Sequence, residues 1–468
     1  MRRGIVAFAV AWTAAVVCGS ESWPVLKTYE GECLRRVKMP LGGIGTGTIS
    51  LAGRGSLVDW EIENRPNKGY VPTGMKGPHF AVRCATASGR KAARLLEGPL
   101  QPEEYEGEIG CAVPNQGFPR FARATFRAAY PLAQIDLSDP GFPLSPHLEA
   151  FNPLVPGDAA ASGIPAALMR WRIVNTGDEP LDVTVAAAMP NPSMGELSQE
   201  PCGGNGLRGI EFRGDADMNN SSSPVSFKRE SGKFVICALE EAGTVSVATR
   251  IRLASWNDNI DQFWRRLAAL GSVGDDEVKG VSEGGGEGEE VKWCDFGLLA
   301  VRATLKPGET REFPFVLAWR FPNRSAWGRT NAEYRFGIED FVGNHYCQVY
   351  PTAFSAAETL WRRLPELESK TLAFVNGVLA AKAPAVVKEA ALFNLSTLRS
   401  ETCFRTADGH FFGWEGTHDW SGSCHGSCTH VWGYEHALVD LWPNLAKDMC
   451  NLQFREAMDD EGAIRLRI

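Results

Sequence analysis

Two unlike parts are predicted for this chain, a large antiparallel β-sandwich followed by a helical segment, so the fold class is multidomain β plus α. Three observations predict it. From about Tyr29 to Asn323, short runs of alternating apolar and polar residues are separated by Gly, Pro, Asn and Asp, as in strands with one buried face. After about Ser355 the apolar period changes from two to nearly four, as on amphipathic helices. A chain of 468 residues also exceeds what one ordinary core holds.

At the N-terminus, Arg2 and Arg3 precede an apolar run from Gly4 to Val17, with the small residues Gly19 and Ser20 behind it. Residues 1–19 therefore read as a signal peptide, and the protein is expected to be secreted or extracellular rather than cytosolic or membrane-associated. The run is too short for a membrane span.

The sandwich is assigned to residues 29–345. Met169, Trp171 and Ile173 alternate with Arg170 and Arg172, and Asn175-Thr176-Gly177-Asp178 leads into Leu181, Val183 and Val185, which predicts a hairpin. A second is predicted from Leu299, Val301, Ala303 and Leu305 through Lys306-Pro307-Gly308-Glu309 to Phe313, Phe315, Leu317 and Trp319. Residues 271–290 hold seven acidic residues, one lysine and many glycines. They bury too little apolar surface to offset the entropy of ordering, and a disordered insertion is expected.

The glycines from Gly42 to Gly47 do not make a dinucleotide site: a third glycine is missing at Thr48, and no strand–helix unit follows. They are read as tight backbone packing. In the helical part, Ser355-Ala356-Ala357-Glu358 has the form of a capping box, with Leu360 and Leu364 on one face. A second helix is expected near Pro384 with Val387, Ala391, Leu395 and Leu398 buried, and a third from about Trp432 with Tyr434, Leu438 and Leu441 inward, broken at Pro443.

A formal charge of -8, from 48 Lys+Arg against 56 Asp+Glu, argues against nucleic acid or an anionic membrane as the main partner. Twelve cysteines, eleven without the leader, are scattered rather than set in the framework of a small disulfide-rich domain.

Five of the eight histidines fall between His410 and His436, among carboxylates and indoles. Aromatic faces stack on sugar rings, imidazoles and carboxylates hold hydroxyls, and one carboxylate can attack an anomeric carbon, so this stretch suits glycosidase chemistry. Cys424, Cys428, His418 and His430 include the ligand types of zinc without its usual spacing, and a Cys424–Cys428 disulfide or two buried thiols fits better. No metal and no cofactor is expected.

Trp414-Glu415-Gly416, then Cys428-Thr429-His430-Val431-Trp432-Gly433-Tyr434-Glu435-His436-Ala437-Leu438 and Leu441-Trp442-Pro443, resembles the nucleophile segment of glycoside hydrolase family 116, the β-glucosidase and non-lysosomal glucosylceramidase family. Pro40-Leu41-Gly42-Gly43-Ile44-Gly45-Thr46-Gly47-Thr48, Asp59-Trp60-Glu61-Ile62 and Asn64-Arg65-Pro66-Asn67-Lys68-Gly69 are similar to the opening of its N-terminal domain. The resemblance implies a β-sandwich followed by an (α/α)6 barrel. With about 110 residues after Ser355, room for three or four average helices, residues 355–468 are expected to be the start of an incomplete barrel.

The resemblance further implies a retaining mechanism with Glu415 as nucleophile, and an acid/base aspartate in a segment for which this chain has no counterpart. Asp419, Glu435 and Asp440 lie near, none in a matching motif, so no acid/base is assigned and the fragment is expected to turn over poorly. His430 stands where other branches carry a hydroxyl-binding aspartate, and a neutral imidazole keeps that role. Trp414, His418 and Asp419 are expected to line the same pocket, with Trp420 and Trp432 as further candidate platforms. The expected partner is a carbohydrate or glycolipid, with membrane association running through a lipid substrate. Neither the aglycone nor the oligomeric state is read from the sequence. The rival reading is a non-catalytic carbohydrate-binding or scaffold protein of the same fold.

Overall fold

A computed structural model describes residues 22–72, 77–106, 111, 113–217, 220, 228–249, 251–253, 259–273, 292–294, 296–325, 341–423, 427–428 and 436–467. The predicted leader, most of the acidic insertion, and Cys424, His430, Trp432, Tyr434 and Glu435 lie outside the described residues.

Antiparallel pairing builds two large sheets. One contains nine strands in the order Lys27–Tyr29, Arg123–Ala129, Leu132–Ser138, Leu144–Phe151, Ala166–Asn175, Thr310–Arg320, Gly232–Leu239, Leu207–Asp215 and Glu196–Gly204. The other contains five, in the order Thr244–Ala248, Phe296–Leu305, Leu181–Pro190, His79–Ala85 and Lys91–Leu95. Aromatic rings bridge the layers: Phe80 of the smaller sheet meets Phe315 of the larger at 5.2 Å and Trp171 at 6.3 Å, all buried. Each sheet thus covers the apolar face that alternation in its strands leaves on one side.

Both predicted hairpins are corrected. Ala166–Asn175 lies in the larger sheet and Leu181–Pro190 in the smaller, while Phe296–Leu305 lies in the smaller and Thr310–Arg320 in the larger. Alternation reports a buried face, not the strand beside it, so a turn that crosses the sandwich reads like one that folds back. The two crossings then pair with each other, Met169 opposite Phe315 and Val185 opposite Val301. They are also joined at the turns, where Asn175 N–H donates to Glu309 O at 3.0 Å and Gly308 N–H donates to Asn175 O at 2.9 Å.

One helix, Asn259–Leu270, lies within the stretch read as sandwich and buries Phe263 and Leu267. The C-terminal helices are Tyr346–Val349, Ala353–Arg362, Leu364–Ala380, Ala385–Phe393, Leu395–Leu398, Ala437–Leu441 and Pro443–Leu452. Helix Ala353–Arg362 is capped by Thr352, not Ser355: Ser355 N–H donates to Thr352 Oγ1 at 3.0 Å while Thr352 N–H donates to Ser355 Oγ at 3.2 Å. Ser355 is the third helical residue of the box rather than its first. Leu392, Leu395 and Leu398 form the buried stripe of helices Ala385–Phe393 and Leu395–Leu398, whereas Val387 is 51% exposed and Ala391 is exposed. Three-residue spacing across the break at Asn394 replaces the four-residue spacing read from the sequence. The break before Pro443, with Leu438 and Leu441 buried, is as expected.

The helices dock on the larger sheet through charge and shape together. Arg170 Nε donates to Glu149 Oε2 at 2.7 Å within the sheet, and its Nη2 donates to Glu368 Oε1 on the helix at 2.6 Å. Trp23 Nε1 donates to the same Glu368 at 2.7 Å. Trp442 is fully buried and donates to Val155 O at 3.3 Å, while Gly157 N–H donates to Leu441 O at 2.6 Å. The glycine segment joins this interface: a Cβ on Gly43 would stand 2.7 Å from the Gly163 backbone, and one on Gly45 3.0 Å from Arg405 Cβ.

Candidate active site

Glu415 follows a small aromatic hairpin. Cys403–Arg405 pairs with Phe411–Gly413, placing Phe404 opposite Phe412 with their rings stacked at 5.7 Å, and the Trp414 indole meets Phe404 edge-on at 5.3 Å. Leu452 completes this cluster. Trp414 is 8% exposed, and its ring presses on Gly422, where a Cβ would stand 2.0 Å away. The backbone is tied on both sides of the hairpin's end: Trp414 N–H donates to Thr402 O at 2.9 Å, and Gly413 N–H donates to Ser427 Oγ at 3.1 Å.

From there a second hairpin starts. Glu415 is half-buried, Gly416–Thr417 pairs with Gly422–Ser423, and His418 N–H donates to Ser421 O at 2.8 Å to close the turn. His418, Asp419 and Trp420 occupy its exposed tip, Trp420 at 70% exposure. The tip meets the sandwich, for Lys68 N–H donates to Asp419 O at 2.7 Å.

Beneath lies a buried polar network. Glu61 accepts from Lys68 Nζ at 2.6 Å and from Asn67 N–H at 3.1 Å; Asp59 accepts from Lys38 Nζ at 2.9 Å and Gly69 N–H at 2.6 Å. Arg324 pairs with Glu401, donates to Asn344 Oδ1 at 2.7 Å, and lies over the Phe404 ring at 4.8 Å. Asn344 in turn donates to Asn64 Oδ1 at 2.5 Å and Phe321 O at 2.7 Å. Burial pushes the Glu401 carboxyl up to about 7, with Arg324 opposing and Glu61 adding to the rise. Glu63 is pushed up to about 8 by burial and then by Glu230, against Arg65 and Arg229.

These motifs now have a family to be compared with. The sequence matches the family described as beta-glucosidase 2, glycosyl-hydrolase family 116 N-term, over residues 38–367. The chain belongs to that family. The family 116 match takes in the glycine-rich and Asp59–Gly69 segments and the helices Asn259–Leu270 and Ala353–Arg362, and ends before the Glu415 hairpin. Similar solved structures include one described as a kojibiose phosphorylase from human microbiome, at 6% identity and a TM-score of 0.32, covering 81% of this chain and 35% of that one. A polysaccharide lyase matches at 8% identity and a TM-score of 0.26, covering 61% and 32%. A protein described as an aldose 1-epimerase from Klebsiella pneumoniae subsp. pneumoniae matches at 11% identity and a TM-score of 0.23, covering 58% and 76%. This family 116 chain spans about a third of the length of the first two.

Of the residues the sequence singles out, Glu415, His418 and Asp419 come together on one hairpin, and Trp414 stands beneath it as packing rather than as an open ring face. His430 lies outside the described residues, and so does Cys424, which leaves the Cys424–Cys428 pairing outside them too. Sequence reasoning misses Lys68, Glu61, Arg324 and Glu401. The first two sit in segments similar to the family's opening, where Asn67-Lys68-Gly69 is also a turn signal; nothing local marks Arg324 or Glu401.

Proposed function

We propose that this family 116 chain carries the sandwich and nucleophile-bearing segment of a retaining β-glycosidase acting on β-glucosides, its helices belonging to an (α/α)6 barrel. Glu415 attacks C1 of the sugar, the C1–O bond to the aglycone breaks, and a covalent glycosyl-enzyme forms that water later cleaves. His418, Asp419 and His430 hold sugar hydroxyls, and Trp414 supports the strand end from below. No carboxyl of this chain is assigned as the acid/base. The observation that carries the reading is the half-buried Glu415 on a twice-anchored hairpin, in a chain whose sandwich is that of family 116.

The test uses a probe that needs no acid. With 2,4-dinitrophenyl 2-deoxy-2-fluoro-β-D-glucoside the leaving group departs unprotonated, so a nucleophile alone suffices to be trapped. Intact mass is expected to rise by one fluoroglucosyl group, peptide mapping to place it on Glu415, and Glu415→Gln to take no label. Persistent labelling of that variant overturns the assignment, and an unlabelled chain that still binds β-glucosides makes it a carbohydrate-binding protein.

Substrates include free β-glucosides and glycolipids in this reading; among the described residues no helix is long and apolar enough to cross a membrane. We place the protein outside the cell on the charged-then-apolar leader. Expression with and without residues 1–19 is expected to give secreted and retained protein respectively, and equal secretion overturns that placement.

A further inference from the structure

We propose that the sandwich turn Asn67–Tyr70 positions the hairpin bearing Glu415, with Lys68 as the positioning residue that makes the contact. This rests on the nucleophile reading above.

Asp59 and Glu61 lie in a separate three-stranded sheet of Lys38–Leu41, Thr48–Ala52 and Leu57–Glu61, whose buried Trp60 packs on Phe234 of the larger sheet at 5.2 Å, so the support runs from the sandwich core to the hairpin. The turn is closed by Tyr70 N–H donating to Asn67 O at 3.2 Å, and Gly69 at its third position has φ +76, while Lys68 is not among the residues of positive φ. That is the φ pattern of a type II turn, which requires glycine or asparagine at the third position and accepts proline at the second. Two buried carboxylates hold it from inside. Glu61, 1% exposed, takes both the Asn67 amide and the Lys68 ammonium, and Asp59 takes the Gly69 amide. Asp59 sits at φ 49, in the left-handed region, where the register between strands Thr48–Ala52 and Leu57–Glu61 shifts. A non-glycine residue keeps such a conformation where surrounding contacts over-determine it, and here its carboxylate is engaged by both Lys38 and the turn.

The fixed turn then presents one N–H outward, that of Lys68, to Asp419 O at 2.7 Å. Asp419 is at the hairpin tip, and Trp414, tied to Thr402 at 2.9 Å, is at its base. The segment between them contains Glu415. A short peptide held at both ends leaves its carboxylate few directions, and nucleophilic attack needs reacting atoms about 3 to 3.5 Å apart and aligned. The Asp59-Trp60-Glu61 and Asn67-Lys68-Gly69 segments thereby act on the reaction through geometry, without touching the sugar.

Two substitutions separate the amide from the ammonium. Lys68→Met removes Nζ and keeps N–H; Lys68→Pro removes both at a position where the turn accepts proline. Loss of the Glu61 ion pair is common to both, so their difference reports the N–H bond to Asp419. Amide hydrogen exchange across residues 414–423 is expected to be about tenfold faster in Lys68→Pro than in Lys68→Met, with strand Ala166–Asn175 alike in the two. Trapping of Glu415 by the fluoroglucoside at saturating probe is expected to slow about 10- to 100-fold, with the half-saturating concentration unchanged. Equal hairpin exchange in the two variants overturns the docking, and faster exchange with an unchanged trapping rate overturns the positioning role. Absence of label in the unsubstituted protein counts against Glu415 instead, and exchange alone then decides the docking.

Discussion

Arg324→Met should destabilise the protein by roughly 3 to 5 kcal/mol, the usual range for breaking one side of a buried ion pair. Both partners are almost fully enclosed, the Arg324 side chain at 4% and that of Glu401 at 1% exposure. Removing the guanidinium strands a carboxylate that burial already disfavours, and frees Asn344 Oδ1 and one face of Phe404 as well. The sandwich and the segment leading to Glu415 meet here, so the loss falls on their junction. Glu401→Gln added to Arg324→Met should recover most of it, because a neutral amide needs no counter-charge. Urea denaturation of the single and double variants measures the recovery, and equal midpoints would show that packing, not charge, dominates the site.

Stability should also fall as pH rises from about 5 to 8, and Glu63→Gln should flatten much of the slope. In the unfolded chain a glutamate ionises near its ordinary value of 4.5, whereas the folded environment pushes Glu63 up to about 8. Between those values the folded state holds a proton that the unfolded state has lost. Glu63 therefore contributes stability that is complete below 4.5 and disappears as pH climbs through 8. At about 1.4 kcal/mol per pH unit the change amounts to a few kcal/mol. Glu401, pushed up to about 7, acts in the same direction. The groups facing Glu63 are Glu230, which repels its ionised form, Tyr70, Arg65, which lies 3.8 Å from Glu63 and pairs with Glu230 at 2.9 Å, and Arg229, which pairs with Glu230 at 3.1 Å. Thermal melts at pH 5 and 8 decide it: parallel slopes for the two proteins would assign the pH dependence to other groups.

Legibility in the amino-acid sequence differs from element to element. The change of period near residue 355 agrees with antiparallel sheets followed by a helical C-terminal part, because burial of one face imprints itself on neighbouring residues whatever the partner. It does not show the helix Asn259–Leu270 or the short hairpins around Glu415. Which strand lies beside Trp171 is not legible, since a sandwich crossing and a hairpin need the same alternation and turn chemistry. Val387 reads as buried and is not, because a nine-residue helix offers several stripes, and only tertiary packing selects Leu392 over Ala391. At the candidate site, Trp414-Glu415-Gly416 stands out as a local string. Its supports do not, because they join Arg324 to Glu401 across 77 positions and Asn64 to Asn344 across 280. Pairings at such separations leave no spacing to read.

The two crossings between the sheets also constrain how the protein comes together. Strands Ala166–Asn175 and Thr310–Arg320 are partners in one layer, Leu181–Pro190 and Phe296–Leu305 are partners in the other, and each passage between layers is gripped by the other at Asn175. The middle of the molecule is therefore a clasp of four strands drawn from two distant stretches of chain. Neither layer has a half that closes by itself: deleting either stretch strips a central strand from both layers at once.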